Sequence, residues 1–235
     1  MLGVIVNTLT VIAGSIVGLL AKKAIPKNWT NFIMAGMGLC TMYIGISGAF
    51  EGQNTLIAVI SIALGAIIGL AVDIDRRVNN LAEKIEKRFV KDAGEGEATF
   101  SEGFVTASMI FCVGAMTIVG SLQAGLIGDN TMLFTKATMD GIGAVFFAAS
   151  LGFGVLASAA FVFVFQGSIV LLAQFVEPFL SDAVIAEMTC AGSLLLIGLA
   201  FNLIGISKLK IMNFMPAVFM PIILVPIFDW VGGLF

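Results

Sequence analysis

Histidine is missing altogether from this chain of 235 residues. That removes the commonest zinc ligand, the usual general base near neutral pH, and any Ser–His or Cys–His catalytic pair. Cysteine is scarce. Cys40, Cys112 and Cys190 lie far apart, are odd in number and sit inside apolar stretches. They read as small buried apolar residues rather than as metal ligands or a disulfide. Charge is also scarce, at 11% of residues, against roughly 25% in a soluble domain. No span carries the paired carboxylates that acid–base chemistry could use instead of histidine. An enzyme is therefore not expected, nor a cofactor, a metal or a nucleic-acid partner. What is abundant is apolar surface: 59% of residues are hydrophobic and the mean hydropathy is +1.08. A fold in water could not hide that much, so the bilayer is the expected solvent and partner.

A membrane-spanning helix needs about 20 apolar residues. Eight stretches qualify: Leu2–Ala21, Thr30–Phe50, Thr55–Val72, Gly103–Leu122, Leu133–Ser150, Gly154–Val176, Ala183–Ile204 and Asn213–Gly232. The expected fold is an all-α polytopic membrane protein in one integral domain. Gly114, Gly120, Gly125 and Gly128 mark the fourth span as one that could unwind. Gly141 and Gly143 are expected to interrupt the fifth. The first span has no positive region before it and is followed by Lys22-Lys23, so it reads as a helix that stays in the membrane, not a cleaved signal.

The charges set an orientation. Of the 12 Lys and Arg residues, all but Lys136 fall in the loops between spans one and two, three and four, and seven and eight. Eight crossings put those three loops on one side, and the positive-inside rule makes that side cytoplasmic, with both termini outside. The opposite loops hold Glu51, Asp129 and the trio Glu177, Asp182 and Glu187. Between spans three and four, Ile74, Val78, Leu81, Ile85 and Phe89 recur every three or four residues, opposite a charged face. That pattern predicts an amphipathic helix on the inner leaflet, in a polar stretch over 74–102.

The chain also repeats itself. Gly14-Ser15-Ile16-Val17 returns as Gly167-Ser168-Ile169-Val170, and the same offset of 153 residues brings Ile44-Gly45 onto Ile197-Gly198 and Gly52 onto Gly205. An odd number of crossings separates the copies, so residues 2–73 and 154–232 are expected to form an inverted repeat, with 103–150 inserted between them. The small-xxx-small pairs Gly14/Gly18 and Gly65/Gly69 suit close helix approach, either inside the chain or between copies in a homo-oligomer.

Among the polar residues at membrane depth, Lys136 and Asp140 stand out. They are one helical turn apart, so they share a face, with Asp140 about 10 Å into the fifth span at about 1.5 Å per residue. A structural ion pair and an ion, proton or substrate site are both open readings, and intramembrane charge favours function. Asn7, Gln166 and Asn202 are amides placed to line a cavity at the repeat interface. Gly114, Thr117 and Ser121 lie in a run that looks built to break, and a broken helix frees backbone groups that can hold ions.

The run Phe111–Ser121, then Gly125, Lys136, Asp140, Gly141, Gln166-Gly167, Asn202, Asn213 and Pro216-Ala217, resembles the uncharacterised bacterial family called domain of unknown function 554. Asn7, Gly14 and Gly18 extend the resemblance to the start of the chain. It implies a multi-pass protein of the bacterial inner membrane and supplies no activity. The architecture itself points to a transporter or channel-like protein for a small solute or ion. The alternative is a non-transporting scaffold or sensor that uses the amphipathic helix as its docking surface.

Overall fold

A computed structural model describes residues 1–22, 27–80 and 100–232, and among these there is no β-strand. The helices are α1 (Leu2–Lys22), α2 (Lys27–Ala49), α3 (Thr55–Val72), α4 (Phe100–Cys112), α5 (Ala115–Leu126), α6 (Thr131–Leu151), α7 (Phe153–Val176), α8 (Asp182–Ile204) and α9 (Pro221–Gly232). A 3-10 helix over Ile211–Phe219 precedes α9. Six helices are long and apolar enough to cross a membrane. Two bent pairs, α4 with α5 and the 3-10 helix with α9, bring the number to eight if each pair is one crossing. These eight coincide with the stretches expected from hydropathy. Residues 74–80 are helical. The rest of the expected amphipathic helix and its linker, residues 81–99, lie outside the described residues.

Local chemistry sets the ends of the helices. Asn54 caps α3 by accepting from the Leu56 N–H at 3.0 Å. Ser181 caps α8 through the Val184 N–H. Asp129 accepts the Thr131 N–H at the start of α6, and that bond holds its carboxyl below the usual range. α8 stops at Gly205, whose φ of 84° suits a residue without Cβ. Pro221 cannot donate to the preceding turn, and there the last span bends by 43°.

Two expectations need correction. Gly141 and Gly143 do not interrupt the fifth span, since α6 is continuous from Thr131 to Leu151. They are instead contact points: a Cβ on Gly14 would collide with the Gly141 carbonyl, so the bare backbones let α1 lie directly on α6. Glu187 is not a loop residue. It sits inside α8, 3% exposed, and its Oε1 accepts the backbone N–H groups of Gln53 and Asn54, each at 2.7 Å. A buried carboxylate thus ties the α2–α3 turn to α8.

The helices pack as two groups. In the first, α1 lies along α6, and α7 packs on α1, α4 and α5. In the second, α2 lies along α8, α3 packs on the 3-10 helix, and α9 rests on α8 and α3. Most packing between the groups is where α2 and α8 meet α4, α5 and α6. α8 is the most enclosed of the six long spans, 72% buried. Alternating helix directions give the bundle two ends. Lys22, Arg76, Arg77, Lys208 and Lys210 lie at one; Glu51, Asp129, Glu177, Asp182 and Asp229 lie at the other.

Candidate functional site

Lys136 and Asp140 project from α6 toward the protein interior, 7% and 5% exposed. The helical spacing of four residues lets Lys136 Nζ donate to both carboxylate oxygens, at 2.7 Å to Oδ1 and 2.9 Å to Oδ2. A third donor comes from α1, where Asn7 Nδ2 reaches Asp140 Oδ2 at 3.1 Å. The same amide donates to Gln166 Oε1 on α7 at 3.2 Å. Three helices therefore meet in one buried chain of side chains: Lys136, Asp140, Asn7, Gln166. Asn7 and Gln166 are both fully buried.

The chain is incompletely satisfied. Among the described residues, Asn7 Oδ1 and Gln166 Nε2 have no hydrogen-bond partner, and neither has the buried hydroxyl of Ser121. α5 and α7 run in the same direction and touch at Gly125 and Val170. One turn earlier on each, Ser121 is level with Gln166. Unpaired polar groups of this kind cost about 1–3 kcal/mol each unless water or a ligand meets them.

On its other side the ion pair borders a cavity of about 390 Å³, walled by α2, α4, α5, α6 and α8. Gly114 and Thr117 line it beside Lys136 and Asp140, and Glu51 and Tyr43, both exposed, lie at its edge. Here the fourth span breaks: α4 and α5 meet at 61°. Gly114 makes the corner with φ 133° and ψ 152°, a conformation essentially reserved for glycine. Thr117 Oγ1 bridges the break by donating to the Phe111 carbonyl at 3.1 Å. The C-terminal end of one half-helix and the N-terminal end of the other thus face the cavity that holds the ion pair. Those ends carry partial charges of opposite sign, negative at α4 and positive at α5.

Of the residues singled out from sequence, Lys136, Asp140, Asn7 and Gln166 are in direct contact. Gly114 and Thr117 share the cavity, and Ser121 sits behind it. Asn202 is the exception. It lies at the Lys-rich end, where its Oδ1 accepts from Ser207 and from the Leu209 N–H, and its Nδ2 donates to the Leu209 carbonyl. It holds the turn after α8 and lines a separate cavity at that end, away from the ion pair. The structural roles of Glu187 and Asn213 escaped sequence reading. Asn213 Oδ1 accepts the Asp75 N–H at 2.8 Å, joining the 3-10 helix to the helical stretch 74–80 that follows α3. Their partners lie more than 130 residues away, so no local pattern betrays them.

Six long apolar helices, or eight spans if each bent pair is one crossing, packed around a buried charged pair define a polytopic helical membrane protein. Its family can be stated as well. The profile described as "Protein of unknown function (DUF554)" matches residues 2–226, and the chain belongs to that family. Among curated proteins it is similar to the "Uncharacterized membrane protein YdfK" of Bacillus subtilis (strain 168), 33% identical over 225 residues, with 94% of each chain covered. It is also similar to the "Uncharacterized protein YqgA" of Escherichia coli (strain K12), 25% identical over 217 residues, with 92% of each covered. No solved structure matches the chain.

Proposed function

We propose that this protein moves a small ion or solute across a bacterial inner membrane, with Asp140 as the group that binds a cation or proton. Lys136 is the internal charge that competes for it. The observation that carries this reading is the position of the pair: buried in the bundle, yet on the wall of a cavity and beside a broken helix. Desolvating each ion costs several kcal/mol, and a pair kept only for stability could be replaced by apolar residues at little loss. An entering cation, or a proton on Asp140, frees Lys136 to swing away, which gives the site two states. The antiparallel neighbours α1 and α7, α2 and α8, and α3 and the last span are the helices related by the 153-residue offset. That pairing suits an inverted repeat around a midplane site. The Lys-rich end is then cytoplasmic and both termini are outside.

The test is flux in proteoliposomes that enclose a pH-sensitive dye, under imposed proton, sodium or potassium gradients. The native chain is expected to dissipate a gradient faster than empty vesicles. Asp140→Asn should return the rate to that of empty vesicles while inserting equally well. Undiminished flux in this variant removes the reading.

A further inference from the structure

A second cavity, of about 440 Å³, opens at the Lys-rich end, between α4 of the first helix group and α8, the 3-10 helix and residues 75–79 of the second. Asp75 lines it; partial burial pushes its carboxyl above the usual range, with the Lys210 charge opposing. The cavity that holds the ion pair lies between the same two groups, toward the acidic end. α4 and α8 run in opposite directions and wall both cavities. Thr106 and Leu199 line the first; Ile110 and Leu196 line the second. Only one turn of α4, about 6 Å, separates their floors, a small part of a hydrocarbon core about 30 Å thick. Ile110, Leu196 and Leu199, which belong to or pack on one hydrophobic cluster, are the apolar lining residues nearest the divide, and Val113 lies close over Gly192 toward the acidic end. The Thr106 hydroxyl, fully buried at the floor of the Lys-side cavity, has no partner among the described residues.

We infer that the two cavities are halves of one translocation pathway for a small cation, running between the two helix groups and shut by the Ile110–Leu196–Leu199 contact. This rests on the transport reading above and adds its route and gate. A charge cannot cross even a thin apolar layer without its water, so the gate blocks leakage while the chain is in this form. Packing between the groups is confined to few helices, so a small rocking of one group on the other parts the contact without dismantling either. Asp140 then faces the Lys-rich end in place of the acidic end.

Thiol accessibility tests this without any flux measurement. In a chain with Cys40, Cys112 and Cys190 replaced by alanine, Val105→Cys reports the Lys-side cavity and Met116→Cys the other. A charged, membrane-impermeant methanethiosulfonate is applied to sealed vesicles of either orientation. Val105→Cys should react from the Lys-rich end only, and Met116→Cys from the acidic end only. Adding Ile110→Ala should speed reaction at Met116→Cys from the Lys-rich end at least tenfold. Ile110→Thr, which removes less volume and adds a hydroxyl, should act in the same direction if the alanine variant does not fold. Both reporters reacting from one end, either failing to react, or a rate unchanged by the gate variants would overturn the pathway. If that happens while Asp140-dependent flux persists, only this route is wrong. If labelling goes as expected while Asp140→Asn leaves flux intact, the binding role of Asp140 is what fails.

Discussion

Lys136 is the residue whose removal separates structure from function. Its ammonium supplies two of the three hydrogen bonds that satisfy the Asp140 carboxylate. Lys136→Met leaves a buried carboxylate with one amide donor, and breaking a buried pair from one side costs about 3 kcal/mol or more. Lys136→Met is therefore expected to unfold at clearly lower temperature in detergent. Adding Asp140→Asn should restore most of the loss, because a neutral amide needs no counter-charge. A double variant no more stable than the single one would show that charge imbalance is not the cause. The pair itself was legible in the sequence, since four-residue spacing on a helix leaves little choice of geometry. Its amide partners were legible as residue types but not as contacts. Nothing local connects Asn7 to Asp140 across 133 positions.

Glycine shows at the scale of the element why composition alone does not decide a break. Gly114 and Gly141 both sit in apolar runs. The first makes a 61° corner between α4 and α5. The second lies inside an unbroken helix. The difference is the neighbour: α1 presses its own glycine onto Gly141, and a continuous α6 is what α1 packs against. Around Gly114 a cavity takes the place of a packed helix, so nothing forces the backbone straight. Gly114→Ala puts a Cβ where φ is 133°, at a cost of about 1–3 kcal/mol. Lower thermal stability is expected, with reduced Asp140-dependent flux as the corner shifts. Native melting and native flux together would mean that the corner is not strained and not part of the site.

For the whole molecule, the charge pattern and the tertiary contacts agree on two ends. Glu187 reaches the α2–α3 turn at the acidic end, and Asn213 reaches Asp75 at the Lys-rich end. Each long-range bond joins segments that eight crossings place on the same side. Single cysteines at Lys208 and Asp182 should therefore label from opposite faces of the membrane, with Lys208→Cys reacting from the cytoplasm. Labelling of both from one face would remove a crossing between them. Reaction of Lys208→Cys from outside, with Asp182→Cys inside, would invert the orientation.

Hydropathy and charge, read along the chain, were enough for the membrane, the eight apolar segments, the two-ended charge pattern and the Lys136–Asp140 face. Each of these depends on residues near one another in sequence or on the bulk solvent they must meet. The tertiary structure decided what depends on distant neighbours. It drew Asn7 and Gln166 to Asp140, tied Asn202 to the turn after α8, and buried Glu187. It also kept α6 whole and left two cavities facing each other across one turn of α4. The reason is the same in every case: in a bundle where nearly every segment is apolar, sequence says which residues prefer lipid or protein, while only packing says which helix each will meet.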